Sequence, residues 1–229
     1  LLTKLAAAVG GEVVGYIPHV VEGAGDDWLI TDDKTPNAQG CERLGMQPVD
    51  AALFRARLAQ AGAFYVLEDD PVAAGLCSVE DLAGVSVVLH TYHTTNRTLD
   101  AAAVVLPAAM VVETVGTYVN IDGHAQRVVP AKAIRGVNRT LMMAMGSTRA
   151  DQHGTPFDRW HNEEHKVDCR PSWETLPEVA SRLGHAMIYK GPKQIMAELS
   201  SQNAAFEGAT YDAMGLGGVR LAEIGAAVG

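Results

Sequence analysis

Three short apolar runs, Ala63 to Leu67, Val85 to Leu89 and Val104 to Leu106, are each bounded by turn-forming residues and separated by stretches long enough to turn the chain back on itself. Runs that are apolar at consecutive positions, instead of alternating, fit strands covered on both faces, the environment of a parallel sheet. Parallel neighbours need a crossover of about a dozen residues, usually a helix, and right-handed βαβ units are the form it takes. The runs therefore predict an α/β fold with a Rossmann-like parallel layer of three buried strands.

Around them the chain keeps alternating between the two periodicities. The apolar residues of LLTKLAAAV recur at helical spacing, so the chain opens on an amphipathic helix, and Glu12 to Ile17 reads as a strand. Pro18 to Pro48, rich in Gly, Asp, Asn and Pro, reads as loop. Asp50 is placed to cap a helix from Ala51 to Ala61, with Leu53, Phe54, Leu58 and Ala61 on one face and Gly62 at its end. Arg127 to Ile134 reads as extended, Val137 to Met145 carries three methionines, and Gly146 to Arg170 reads as a polar inserted loop. Ser172 is a candidate N-cap for a helix from Trp173 to Leu183 closed by Gly184, and Gln194 to Leu199 starts another. The expected division is an α/β domain over 1–145, the inserted loop over 146–170 and a helical C-terminal extension over 171–229.

Charge and composition exclude several functions. With 18 basic against 27 acidic residues and a net charge of -9, the chain lacks the basic surface that nucleic acid requires. The longest apolar run, Ala101 to Val112, contains Pro107 and falls short of the roughly 18 to 20 residues of a membrane span. The N-terminal segment lacks the basic start and long apolar stretch of a signal peptide. Cys41, Cys77 and Cys169 are too widely spaced to group as cluster or zinc ligands and are expected reduced and buried.

Several motifs invite a chemical reading. Glu68-Asp69-Asp70-Pro71 stands at the C-terminal end of the first apolar run, where open α/β sheets bind ligands. Its three carboxylates would repel a pyrophosphate more than a helix terminus, worth about 0.3 to 2 kcal/mol, could offset; without a ligand it is a solvated acidic turn. Gly23-Ala24-Gly25 and Gly215-Leu216-Gly217-Gly218 lack the strand, third glycine and helix of a phosphate loop. His161-Asn162-Glu163-Glu164-His165 satisfies H-x-x-E-H, a zinc-protease pattern, but Gly154, Pro156 and Pro171 flank it and no amphipathic helix surrounds it. His90-Thr91-Tyr92-His93 ends the second run, its histidines expected neutral and bonded to backbone. Thr94, Thr95, Asn96 and Thr98 are expected to cap a helix near Asp100. Glu113, Gly116, Thr117, Asn120, Gly123 and Gln126 read as scaffold, the glycines at positive φ and Asn120 and Gln126 satisfying backbone in the turn.

The order from Val88 to Gln126, a strand, a Thr-rich turn, AAAVVLPAA, Glu113, Gly116-Thr117 and Asn120-x-x-Gly123-x-x-Gln126, resembles the molybdopterin oxidoreductase superfamily, with its TETA-like turn, ADVVLPA and E-x-x-GT-x-x-N-x-(E/D)-G-x-x-Q. PSWETLPEVASRLG and TYDAMGLGGVRL carry the likeness further; Asn96 stands where members often have Glu. Within the superfamily the chain is most similar to the C-terminal part of the large iron–sulfur, G-type subunit of NADH-quinone oxidoreductase, respiratory complex I. Catalytic members resemble G-x-N-P where this chain has Glu68-Asp69-Asp70-Pro71, and use that turn near the nucleotide arm of the molybdenum cofactor. The resemblance, with that departure, implies a cofactor-free structural segment of a redox complex. No catalytic, cofactor-binding or metal residue is assigned to it, and iron–sulfur clusters are expected elsewhere in the full subunit. Its expected partners are other subunits of a respiratory complex, at the cytoplasmic side and peripheral to the inner membrane, with no nucleic acid and no membrane insertion. A start on Leu1 without Met carries the expectation of a fragment whose sheet is completed upstream. The alternatives are a fragment of a catalytic molybdenum or tungsten enzyme such as a formate dehydrogenase, and a zinc-dependent hydrolase using His161, Glu164 and His165.

Overall fold

The three apolar runs form the strands β1 (Ala63–Leu67), β2 (Ser86–Thr91) and β3 (Ala102–Pro107) of a parallel sheet in the order β1-β2-β3. The computed structural model describes residues 1–131 and 169–222. The methionine-rich segment, most of the polar stretch 146–170, and His161, Glu164 and His165 lie outside the described residues. Leu67 pairs with His90, and His90 with Leu106, so the three strands end side by side and the chain leaves them at Glu68, Tyr92 and Ala108.

Alternation on the strands divides their side chains between two layers. Val87 and Leu89 of β2 are fully buried and pack with Val66, Leu82 and Phe54 and Leu58 of α3 (Ala51–Leu58). Tyr65 and Leu67 point the other way, against Leu5 of α1 (Leu2–Ala8) and Leu176 and Ala180 of α4 (Ser172–Arg182). Each fully buried Val or Leu contributes about 1.5 to 3 kcal/mol, so β2 is where this core is anchored. Asp50 caps α3 as its position predicts, accepting from Leu53 N at 2.7 Å. The helix ends at Leu58, short of Ala61, and Leu53 is exposed, leaving Phe54 and Leu58 to reach the core.

Four expectations are corrected. Val104 and Val105 on β3 are 47% and 48% exposed, not buried, because neither packs into a core among the described residues; consecutive apolar residues read alike in either setting. The crossovers are not α-helical. They run through 3-10 helices at Glu80–Leu82 and Arg97–Ala101, and positive φ at Gly75 (74°) and Gly84 (89°) breaks the first before an α-helix can propagate. Glu12 to Ile17 forms no strand; it finds one bridge, Tyr16 to Pro48, and a lone bridge does not propagate into a ladder. The loop from Pro18 to Pro48 contains a short helix, α2 (Ala38–Arg43), entered through Asn37 at φ 59°. Asn37 Oδ1 accepts from Val119 N at 2.8 Å, a long-range bond with no local sequence signal.

A second, antiparallel sheet joins β4 (Gly116–Val119), β5 (His124–Val128) and β6 (Val219–Arg220). Asn120 Oδ1 takes the N–H groups of Asp122 (3.0 Å) and His124 (2.9 Å), and Gly123 sits at φ 77°, as the signature predicts for a reversal. Gly116 does not share that role, since it lies in β4 without a left-handed backbone, and Gln126 is exposed on β5 instead of closing the turn. Val119 and Ala125 build a core with Met196 of α5 (Pro192–Gln202), Phe206, and Tyr211 and Met214 of α6 (Tyr211–Met214). Gly184, at φ 89°, ends α4 as expected. Among the described residues no helix is long and apolar enough to cross a membrane.

The two signature glycines should respond oppositely to alanine. A Cβ at Gly123 would be held at positive φ, 2.9 Å from Arg43 Nη2, so Gly123→Ala should cost about 1 to 3 kcal/mol. Nothing stands within 4 Å of a Cβ at Gly116, and Gly116→Ala should be neutral or stabilising by up to about 1 kcal/mol. Urea unfolding midpoints compare the two directly.

Candidate functional site

Leaving β1, the chain turns sharply, and Glu68 takes a left-handed backbone at φ 56° while its N–H bonds His90 O at 2.7 Å. A non-glycine residue there costs about 1 to 2 kcal/mol. The turn delivers three carboxylates to the C-terminal rim of the parallel sheet, and each meets a different partner. Glu68 receives a hydrogen bond from the Ser172 hydroxyl, and Asp69 lies 3.2 Å from His19 Nε2. Asp70 folds back over the connection to β3.

Asp70 is the most heavily bonded of the three. Its Oδ1 accepts from Ala73 N (3.0 Å), Thr98 N (3.2 Å) and Thr98 Oγ1 (2.7 Å), and its Oδ2 accepts from Arg97 N at 2.5 Å. Burial opposes its ionisation, but the Ala73 N–H, the Thr98 hydroxyl and the N–H groups of Arg97 and Thr98 outweigh burial and hold the carboxyl below its usual range. Asn96 completes the corner: Oδ1 caps the 3-10 helix through Thr98 N at 2.8 Å, and Nδ2 donates to Asp69 O at 2.7 Å. Asn96 thus caps as its position predicts. Thr98, expected to do the same, instead gives its hydroxyl to Asp70 and is fully buried.

Glu68 is in the opposite state. Burial raises its pKa, with the Ser172 hydroxyl and the nearby His93 opposing that shift. Tyr92 and Tyr118 are both pushed upward, first by burial and then by the Glu68 charge, which places the two phenols in its surroundings. Ser172, a candidate cap by its position, does not cap the helix that follows it. It stands inside α4, behind Pro171, and its hydroxyl is spent on Glu68, a partner 104 residues away that no local pattern signals.

His90, at the end of β2, is fully buried, and burial lowers its pKa to about 4, so the ring is neutral as expected. Its partner is a side chain and not backbone: Nδ1 lies 2.8 Å from the Tyr65 hydroxyl, and Nε2 has no partner among the described residues. His93 is exposed beside Tyr92, with ring centroids 4.1 Å apart. The rim is therefore not a solvated acidic turn, because its carboxylates are built into the fold.

Other sequence candidates lie elsewhere. Glu113 Oε2 accepts from Met110 N at 3.2 Å and Thr117 Oγ1 approaches the Tyr211 hydroxyl at 3.4 Å, both scaffold contacts. Cys77 is buried as expected, whereas Cys41 and Cys169 are only partly so because each lies away from the sheet core. Among the described residues no three His, Cys, Asp or Glu side chains are grouped so as to hold a metal.

Comparison with known proteins places likenesses on part of this chain. It is 41% identical over 93 residues to the G-type subunit of NADH-quinone oxidoreductase from Pseudomonas putida, covering 40% of this chain and 10% of that protein. It is 38% identical over 52 residues to formate dehydrogenase H of Escherichia coli, 23% of this chain and 7% of the relative. The putative formate dehydrogenase YrhE of Bacillus subtilis is 28% identical over 119 residues, 52% of this chain and 9% of its own length. The matched segments thus span a tenth or less of these relatives. No protein-family model matches the chain. The resemblance to molybdopterin oxidoreductases read from sequence is borne out by these relatives, none of which bears the name of a hydrolase.

Asp70→Asn should reveal how much the corner depends on this carboxylate. The amide keeps an oxygen for one set of donors but turns an NH2 group on the other, so the variant should lose about 1.5 to 3 kcal/mol at pH 7. Because the folded pKa lies below the ordinary 3.8, this contribution is present above 3.8 and is lost as pH falls through the folded value. Denaturation of both proteins across that range should show the difference shrinking. The His90 shift runs the other way in chemistry but also penalises acid: between pH 6.5 and about 4 the unfolded ring takes a proton that the folded ring refuses, so stability falls as pH drops through that window. Replacing His90 with Gln should flatten that part of the profile.

Proposed function

We propose that this chain is a structural, cofactor-free portion of a large peripheral-arm subunit of an NADH-quinone oxidoreductase, holding neighbouring segments that carry the flavin and iron–sulfur chemistry. The observation that carries this reading is the Asp70 corner. In an open α/β sheet the rim at the strand ends is where a nucleotide's phosphates are taken up by backbone N–H groups at a helix start. Here the N–H groups of Arg97, Thr98 and Ala73 and the Thr98 hydroxyl already bond an internal carboxylate. An incoming pyrophosphate would have to displace Asp70 and then lie beside Glu68 and Asp69.

A pterin dinucleotide therefore does not fit the residues of this rim, and no chemical step is assigned through one. Glu68 strengthens the point. Its left-handed φ is the conformation that a glycine adopts freely, and the G-x-N-P turn of catalytic members has glycine there. This chain places a carboxylate on that left-handed residue and ties it to Ser172 of α4. The turn thereby acts as a joint between the parallel sheet and α4.

The likeness to a G-type subunit of NADH-quinone oxidoreductase supports placement in a multi-subunit complex, cytoplasmic and peripheral to the inner membrane. The likeness to formate dehydrogenase H supports the second reading, a fragment of a catalytic molybdenum enzyme, which differs in one measurable respect. The protein that contains this chain, purified from its source, is analysed for molybdenum and tungsten by mass spectrometry and for pterin by oxidative fluorescence. The structural reading expects neither above background. Stoichiometric metal with pterin, lost on substitution at this rim, would establish the second reading instead.

A further inference from the structure

The loop between Val20 and Asp33, closed by an antiparallel bridge between those two residues, projects Trp28 and Leu29 at 89% and 90% exposure. Isolated exposed apolar residues are ordinary on protein surfaces, but a contiguous Trp-Leu-Ile tip is not. The loop is also held in shape. Asp26 accepts the N–H groups of Trp28 (2.8 Å), Leu29 (2.7 Å) and Ile30 (2.9 Å), which fixes the backbone under the tip. Asp32 accepts from Gly23 and Gly25, Lys34 Nζ reaches Ala24 O and Thr31 O, and His19 anchors the base to Asp69 of the rim.

We propose that this loop is a preformed docking finger whose Trp28-Leu29 tip enters an apolar cleft, ringed by lysine or arginine, on a separate protein subunit. A tryptophan presented on an ordered backbone loses little entropy on binding, and buried aromatic anchors of this kind dominate interface energies. Charge selects the occupant. The loop carries Glu22, Asp26, Asp27, Asp32 and Asp33, with Asp26 and Asp27 next to the tip, against a single adjoining lysine, Lys34. Anionic lipid would repel such a loop, and a second copy of a chain with net charge -9 is a poor partner for it. A basic rim satisfies the carboxylates and an apolar floor covers the tip. The inference rests on the assembly role proposed above, and names the kind of surface through which it would act.

The test places the photoreactive amino acid p-benzoylphenylalanine at Ile30 in the full protein, expressed with its native partners, and identifies the cross-linked peptide by mass spectrometry. The expected product joins the loop to another subunit at a peptide with lysine or arginine flanking apolar residues. In the W28A/L29A double variant its yield should fall about tenfold or more, with an unchanged melting temperature because both side chains are exposed. Asp27→Lys, which leaves the apolar tip intact, should lower the yield through the rim alone. Cross-links only to lipid, to a second copy or within the same polypeptide, no cross-link at all, or a yield indifferent to Trp28 and Leu29 would each overturn the proposal. Pterin in the same preparation would defeat the cofactor-free reading while leaving this interface standing.

Discussion

The Asp70 carboxylate, taken up by four donors from two connections, is the interaction on which the rest of the rim depends. The link from β1 to β2 and the link from β2 to β3 are both irregular, and neither has an α-helix to fix its path. Charge-assisted hydrogen bonds to backbone are among the stronger polar contacts available, at about 1.5 to 3 kcal/mol, and here they bind the two links to each other. With Asn96 bonded to Asp69 O, the corner is closed from both sides. The same bonds that order it use up the groups an anion would need.

Glu68 extends this arrangement into the next layer. Its backbone strain and its desolvated carboxyl are both costs, and the Ser172 hydroxyl is the contact that offsets them while fastening the start of α4 over the sheet. Arg170 adds a parallel bridge to Ala108, so the chain re-enters the described fold along the end of β3 and passes directly into that helix. Farther along, α5, α6 and β6 pack on the β4-β5 hairpin, whose turn end is pinned by Asn37 to Val119. Residues distant in sequence are thus joined by side-chain-to-backbone or side-chain pairs, and apolar packing fills the space between them.

What could be read in advance follows from how local each cause is. Strand β1, the Asp50 cap, the Asn120-Gly123 reversal and the Gly184 stop depend on a few consecutive residues, and these features stand where the sequence places them. The exposure of Val104 and Val105 is hidden because hydrophobicity does not report whether another element covers the faces of a strand. The crossovers are hidden because length permits a helix without requiring one. At the candidate site, the run of acids and its position at a strand end are legible; the donors that neutralise it are not. Thr98 and Ser172 both have the look of caps, and both hydroxyls are drawn to carboxylates brought near only by the tertiary fold. The exposed Trp28-Leu29 tip is masked by the aperiodic loop around it, although Asp26, two residues ahead of a tryptophan and beside glycines, is a signal for an ordered turn.

Whether the donors at this rim are already occupied in solution decides between a joint and a ligand site. Amide NMR of the 229-residue chain, titrated with pyrophosphate at neutral pH and followed at Arg97 and Thr98, asks that question directly. Resonances that stay fixed through millimolar pyrophosphate, and move only when acid protonates Asp70 below its ordinary range, are the predicted result. Saturable shifts of those two amides on adding pyrophosphate would show that the rim still takes an anion and would contradict the account.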